Sequence, residues 1–284
     1  MYSPQPQYDH ERVYEADYRV REDGEVEPAK PRSTGWKTLF GPAGALMLFL
    51  ITKFKFVLAI FKFKFLATGI SALLSVGAYA LVFPWQFAAG LVVLIFIHEM
   101  GHALVLRRYG VASTAPIFIP FMGAFIGMKQ LPKNAVMEAY VGLGGPVIGS
   151  LGALGAFALY LATDSSIWLV LAYVGVLLNL FNLLPILPLD GGRAVGAISR
   201  WMWVVGYGAA IAFLLIRPSP ILLLILLFGA GEVMNAIRGR GNADYYTVSR
   251  GDRLAVSLIY FGLILVLGFL LYELQPLVHE SRPR

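Results

Sequence analysis

The pattern best suited to chemistry in this 284-residue sequence is His98-Glu99-Met100-Gly101-His102. On a helix, positions i and i+4 lie about 40° apart on one face, so two imidazoles so spaced can converge on one Zn²⁺. Glu99 lies beside them, where its carboxylate can act as general base toward water. A hydrolytic zinc site also needs a third protein ligand and an open position. Cysteine is absent and the other two histidines, His10 and His279, lie in the terminal segments, which turns attention to carboxylates. Two are candidates: Asp190, which precedes Gly191-Gly192, and Glu232 in a later apolar run.

Asp190 competes with a simpler reading, a carboxylate capping an Asp-Gly turn at a membrane surface. Depth separates the two. Counted back from Leu106, His98 lies roughly 12 Å and His102 roughly 6 Å inside its apolar run. A straight helix through Leu189 would leave Asp190 too shallow to meet them. Pro185 and Pro188 disfavour helix at and just before themselves, so the helix is expected to end near Leu184. An extended segment after it can then fold Asp190 back toward the histidines. Unwound backbone at that depth requires a wet or protein-lined cavity, which hydrolysis requires too.

The elements that must hold these residues are apolar. Hydrophobic residues make up 58% of the chain and charged residues 14%, and the mean hydropathy is +0.69. Ordinary soluble domains carry roughly 25% charged residues, so this is a multi-pass membrane protein and not a secreted or cytosolic enzyme. Eight of the 17 acidic residues fall in the first 27 positions. From Thr38 to Ile237 the carboxylates are Glu99, Glu138, Asp164, Asp190 and Glu232. Glu138 and Glu232 sit near cytosolic ends of runs, where a solvated role suffices. Glu99 does not, because an ionisable group near a bilayer centre costs about 2.5–3.5 kcal/mol and is functional by default. The net charge of +6 suggests nucleic acid, but basic residues flanking membrane spans explain it better.

The sequence is therefore expected to form an all-α polytopic membrane protein with about seven transmembrane helices. The runs are 65–83, 87–106, 139–162, 167–189, 201–216, 219–237 and 254–272. Residues 113–128 are uncharged but broken by Pro116, Pro120, Gly123 and Gly127, and read as a membrane-dipping hairpin or loop after the second helix. Residues 1–37, polar and rich in Pro and Tyr without a signal peptide, read as a disordered cytosolic tail. Residues 40–64, with two Lys-Phe-Lys-Phe blocks, read as an interface-hugging segment. The membrane domain is placed at 38–274, its catalytic core at 87–192, and an external tail at 275–284. Placing the N-terminus in the cytosol puts 20 of the 23 basic residues on that face, leaving Arg217, Arg282 and Arg284 outside.

The two motifs in this order resemble the site-2 protease family of intramembrane zinc metalloproteases. The family's patterns are His-Glu-x-x-His, matched by His98–His102, and Asn-x-x-Pro-x-x-x-x-Asp-Gly, matched by Asn182, Pro185, Asp190 and Gly191. Gly144-Gly145-Pro146 is a third shared feature. The resemblance implies that His98, His102 and Asp190 bind one zinc and that Glu99 activates water to attack a peptide carbonyl, then passes the proton to the leaving amine. It also implies that Asn182 orients substrate or hydroxide. Gly144, Gly145 and Pro146 most simply permit close packing or a kink. An exposed edge at Ile117–Ile119 or Gly123–Ile126 could pair with an unwound substrate strand. No insertion is long enough for a PDZ domain or a CBS pair.

The expected partners are a transmembrane protein substrate and the lipid bilayer, with no nucleic acid, and the expected location is the cell membrane. Two other readings fit the same residues. One is a metallopeptidase whose third ligand is Glu232. The other is a transporter or scaffold in which the histidine pair is structural.

Overall fold

Pro84 separates the first two helices of the membrane domain, and from there the chain is helical for most of its length. A computed structural model describes residues 18–20, 24–28, 64–238 and 243–280. His10, most of the 1–37 tail, the Lys-Phe segment through residue 63 and residues 281–284 lie outside the described residues. Two units are distinguished, Met1–Ala59 and Ile60–Arg284. In the first, β1 (Tyr18–Val20) pairs antiparallel with β2 (Val26–Pro28), Val20 opposite Val26. This small ladder was not expected in a tail read as disordered. Its physical basis is a pair of β-branched residues flanking a connection in which Gly24 takes φ +85°.

The second unit contains eight α-helices among the described residues: α1 (Lys64–Ala80), α2 (Trp85–Arg108), α3 (Ala135–Thr163), α4 (Ser166–Asn182), α5 (Asp190–Ile198), α6 (Trp201–Ile216), α7 (Pro220–Ile237) and α8 (Arg250–Glu280). A 3₁₀ turn, Ala243–Tyr246, precedes α8. The protein is a mostly helical membrane protein. Among the described residues, three helices are long and apolar enough to cross a membrane, Trp85–Arg108, Ala135–Thr163 and Arg250–Val278. Shorter apolar helices are Leu66–Ala80, Ser166–Asn182, Trp201–Ile216 and Pro220–Gly231.

Local chemistry sets the helix ends. The Asn134 side chain accepts a hydrogen bond from Met137 N (2.8 Å) and caps α3, which ends at Asp164 in the left-handed region (φ 51°). Arg107 and Arg108 close α2 where the macrodipole favours cations. Ser249 caps α8, accepting from Asp252 N (3.0 Å). That cap is why α8 begins at Arg250 and not at Leu254, where the unbroken apolar run starts. At its other end α8 continues to Glu280, so the first residues of the expected 275–284 tail are helical.

Between α2 and α3, β3 (Ile117–Ile119) and β4 (Gly123–Phe125) form an antiparallel hairpin, with Phe118 opposite Ala124. It is tied to α1 by three side-chain bonds. Thr68 Oγ1 donates to Pro116 O (2.7 Å), Phe118 N donates to Ser71 Oγ (3.2 Å), and Phe121 N donates to Tyr79 Oη (3.2 Å). The core lies where α2, α3, α4 and α5 meet, and Leu143, Leu169, Val176, Leu183 and Val195 are fully buried there.

Candidate metal centre

The α2–α3 contact is made by backbone. A Cβ at Gly101 would strike the Gly144 carbonyl, and a Cβ at Gly144 would lie 2.7 Å from Gly101 O. Small residues permit this approach, and without it the histidines of α2 would stand off from α3. Gly145, one residue on, faces the imidazoles themselves: a Cβ there would collide with His102 Nε2 and lie 2.7 Å from His98 Nε2. Two turns of sequence thus clear one volume, with His98 and Glu99 buried (4% and 7% exposed) at its edge.

Hydrogen bonds fix what the two rings present to that volume. Asn179 Nδ2 donates to Gly175 O (2.7 Å), which turns its Oδ1 toward His98 Nδ1 at 2.8 Å. An amide oxygen only accepts, so His98 Nδ1 carries the proton and Nε2 keeps its lone pair. His102 Nδ1 lies 2.7 Å from Val141 O, which imposes the same tautomer. The two Nε2 atoms face each other at 3.2 Å.

Asp190 completes the set. α4 ends at Asn182, the chain unwinds through Leu183–Leu189, and Asp190 opens α5. Its Oδ2 lies 3.0 Å from His98 Nε2 and 3.3 Å from His102 Nε2. Three acceptor atoms at 3.0–3.3 Å have no proton to share among neutral imidazoles and a carboxylate, and a cation between them resolves the repulsion. The spacing also fits: ligands at about 2.0–2.1 Å on a tetrahedral ion stand about 3.3 Å apart. Carboxylate and imidazole donors without thiolate suit zinc. A Glu99 carboxylate oxygen lies within 4.8 Å of ring nitrogens of both histidines, within reach of a small molecule placed at the cluster.

The supporting residues divide. Gly191 and Gly192 are packed against the unwound segment: a Cβ at Gly191 would collide with Leu183 O, and one at Gly192 would lie 2.5 Å from Leu187 N. Pro185 stands in the break itself. Pro146 is fully buried within α3 beside Gly145. Asn182 is not brought to the histidines; its Nδ2 donates to Leu178 O of its own helix (3.1 Å). The asparagine at the site is Asn179, one turn earlier, and Gly149 makes room for it, since a Cβ there would collide with Asn179 Oδ1. An Asn in an otherwise apolar run was the available signal, because a buried amide demands a partner. Among the described side chains, Asp190 is the carboxylate that touches the histidine pair. Glu138 is engaged at the end of α3, where Tyr245 Oη donates to its Oε2 (2.6 Å).

The model of Peptidase family M50 matches residues 86–165 and 162–206. Rip3 of Mycobacterium tuberculosis, named as a zinc metalloprotease, is 35% identical over 182 residues, covering 57% of this chain and 45% of that protein. A zinc metalloprotease of Methanocaldococcus jannaschii is 32% identical over 152 residues, covering 50% of this chain and 43% of that protein. The chain thus spans less than half the length of these curated relatives. The solved site-2 protease from Methanocaldococcus jannaschii aligns at 24% identity and a TM-score of 0.37, over 69% of this chain and 86% of that one. Residues 86–206, which the model of Peptidase family M50 matches, hold both histidines, Glu99 and Asp190.

Proposed function

We propose that the protein is an intramembrane zinc metalloendopeptidase that hydrolyses peptide bonds within transmembrane segments of other membrane proteins. The observation that carries this reading is the convergence of His98 Nε2, His102 Nε2 and Asp190 Oδ2 within 3.3 Å of one another, beside the Glu99 carboxylate. One zinc per chain, held by these three, would supply Lewis acidity and lower the pKa of water at the site.

The chain's own residues do the rest. Glu99 takes the proton from the attacking water and hands it to the departing amine. Asn179 and Val141 O hold the two imidazoles as Nε2 donors of electron density. The β3–β4 hairpin receives the substrate, which must be unwound before a peptide bond is reachable. One edge of β3 is engaged by α1 through the Phe118 N to Ser71 bond, so the edge offered is that of β4, Gly123–Phe125. β4 neighbours α2, the helix that carries Glu99, and its edge is the one proposed to take an unwound substrate strand.

The seven apolar helices together cross the membrane, with the N-terminus cytosolic, so that cleavage falls near the cytosolic face. The shorter helices suffice where protein rather than lipid surrounds them or where the bilayer thins.

The test is cleavage of a transmembrane substrate by the purified full-length chain, comparing wild type, Glu99→Gln and wild type with a chelator. Wild-type cleavage should be abolished by the chelator and restored by zinc. Glu99→Gln should lose at least about a hundredfold in rate, the scale of general-base catalysis, while still binding the metal. Cleavage that persists undiminished in Glu99→Gln would overturn the mechanism.

A further inference from the structure

Helices α6, α7 and α8 add to the three-helix core of α2, α3 and α4, and the backbone of the Asp190 segment gives them a purpose. Leu183–Leu189 is unwound, and Pro185 and Pro188 contribute no N–H. Backbone carbonyls in such a segment must find donors if the site is to stay in a membrane. Local turns serve three of them: Ile186 N donates to Leu184 O (2.8 Å), Leu189 N to Ile186 O (2.9 Å) and Arg193 N to Leu189 O (3.2 Å). Two that the turns leave over, Leu183 O and Leu187 O, are met from elsewhere in the chain. Tyr260 Oη of α8 donates to Leu183 O (2.7 Å, buried), and Tyr207 Oη of α6 donates to Leu187 O (2.9 Å).

A third aromatic acts on the other side of the ligand. Trp203 Nε1, also of α6, donates to Gly192 O at 2.6 Å, two residues past Asp190, and the indole is 3% exposed. Close packing backs these bonds. A Cβ at Gly206 of α6 would collide with Pro185 O, and one at Gly229 of α7 would collide with both Leu187 O and Tyr207 Oη. The segment that carries Asp190 is therefore held from both ends by side chains outside the core.

We propose that Tyr260, Tyr207 and Trp203 are positioning residues that clamp the Leu183–Gly192 segment, unwound through Leu189 and helical from Asp190, and so hold the Asp190 carboxylate at the two imidazoles. This rests on the reading of His98, His102 and Asp190 as one metal site. The residues touch neither the metal nor the reacting atoms; they act through Asp190. Losing a hydroxyl frees one carbonyl and lets the segment drift, and the ligand drifts with it.

The experiment measures zinc affinity, by competition with a chelator, on the full-length chain in detergent. The variants are Tyr260→Phe, Tyr207→Phe and Trp203→Phe, with Tyr272→Phe on an exposed part of α8 as control. Each of the two tyrosine variants should bind zinc about tenfold more weakly, the scale of residues that orient a metal ligand, and Tyr272→Phe should match wild type. Trp203→Phe loses volume as well as its donor, so the tyrosines carry the decision. Repeating both in an Asp190→Asn background separates positioning from general support: the tenfold effect should vanish there. Tyrosine variants that bind zinc like wild type, or that lose the same factor with and without Asp190, would overturn the clamp. A wild-type chain that binds no zinc would instead overturn the metal site beneath it.

Discussion

The two halves of the candidate site are built by opposite means. The histidine half is an interface of two regular helices, pressed together until Gly101 and Gly144 touch backbone to backbone. The aspartate half is a stretch without regular structure running into the first turn of α5, and its carbonyls are bonded by Tyr260, Tyr207 and Trp203 from helices beyond the core. In the first, position follows from helical geometry and from the absence of side chains. In the second, it follows from particular donors. A helix pair packed through glycine has little room to shift, whereas an unwound segment is as well placed as the bonds that hold it.

The sharpest way to break that contrast is to put an atom into the tight half. Gly145→Ala adds a methyl group where His102 Nε2 stands and within 2.7 Å of His98 Nε2. In a helix interior alanine is favoured over glycine by about 1 kcal/mol, so loss of helix is not the expected outcome. Zinc affinity should fall by at least about a hundredfold, beyond the effect of removing one orienting bond, and cleavage should fall with it. Gly155→Ala on the same helix, where a Cβ meets nothing within 4 Å, should keep the metal. Measured metal content of the two purified variants decides it. A Gly145→Ala chain that retains zinc would mean the α2–α3 contact yields as readily as the aspartate segment.

The same contrast governs what could be read from the sequence. His98, Glu99 and His102 were legible because helical periodicity is a local property of five residues. The break before Asp190 was legible for a similar reason, since Pro185 and Pro188 act on their own backbone, and α4 ends at Asn182, two residues before the expected Leu184. α6 occupies the expected 201–216. What was not legible is whatever depends on a distant partner. The short helix Asp190–Ile198 was not anticipated, because its six buried small and apolar residues become a helix face only once α3 and Trp203 are there to cover it. Asn182 matched the family's pattern, yet Asn179 bonds His98, and the two lie about 60° apart around α4. Motif spacing identifies an asparagine, but only the packing of α4 on α3 at Gly149 chooses which amide faces the ring.

That choice gives a second, smaller test. Asn179→Ala removes the acceptor from His98 Nδ1 and leaves that ring free to change tautomer. Zinc affinity should fall by about 10–100-fold, as for other partners that orient a metal-bound imidazole. Asn182→Ala removes a bond to its own helix at Leu178 O and should change zinc affinity by less than about threefold, below the range for such partners. Chelator competition on the two variants side by side is the measurement. The reverse order would mean that the amide at His98 is dispensable and that Asn182 acts on the substrate side in a way its place in the fold does not suggest.

The smallest effect is expected at a peripheral bond between the two kinds of construction. Tyr245, from the 3₁₀ turn before α8, donates to Glu138 in the first turn of α3, so a segment beyond the core reaches the helix of the glycine contact. Burial first, and then the Glu138 carboxylate, raise the Tyr245 phenol above its ordinary value, so the hydroxyl remains a donor throughout the neutral range. Both residues are only half-buried, and water can replace the lost donor. Tyr245→Phe should therefore lower stability by about 1 kcal/mol or less, read as a small fall in the thermal midpoint. It should leave zinc affinity unchanged, because α3 is already held by its contact with α2 and the histidines do not depend on this bond. If Tyr245→Phe released zinc as readily as Tyr260→Phe, the histidine half would also be held from outside, and the distinction between a packed half and a tethered half would fail.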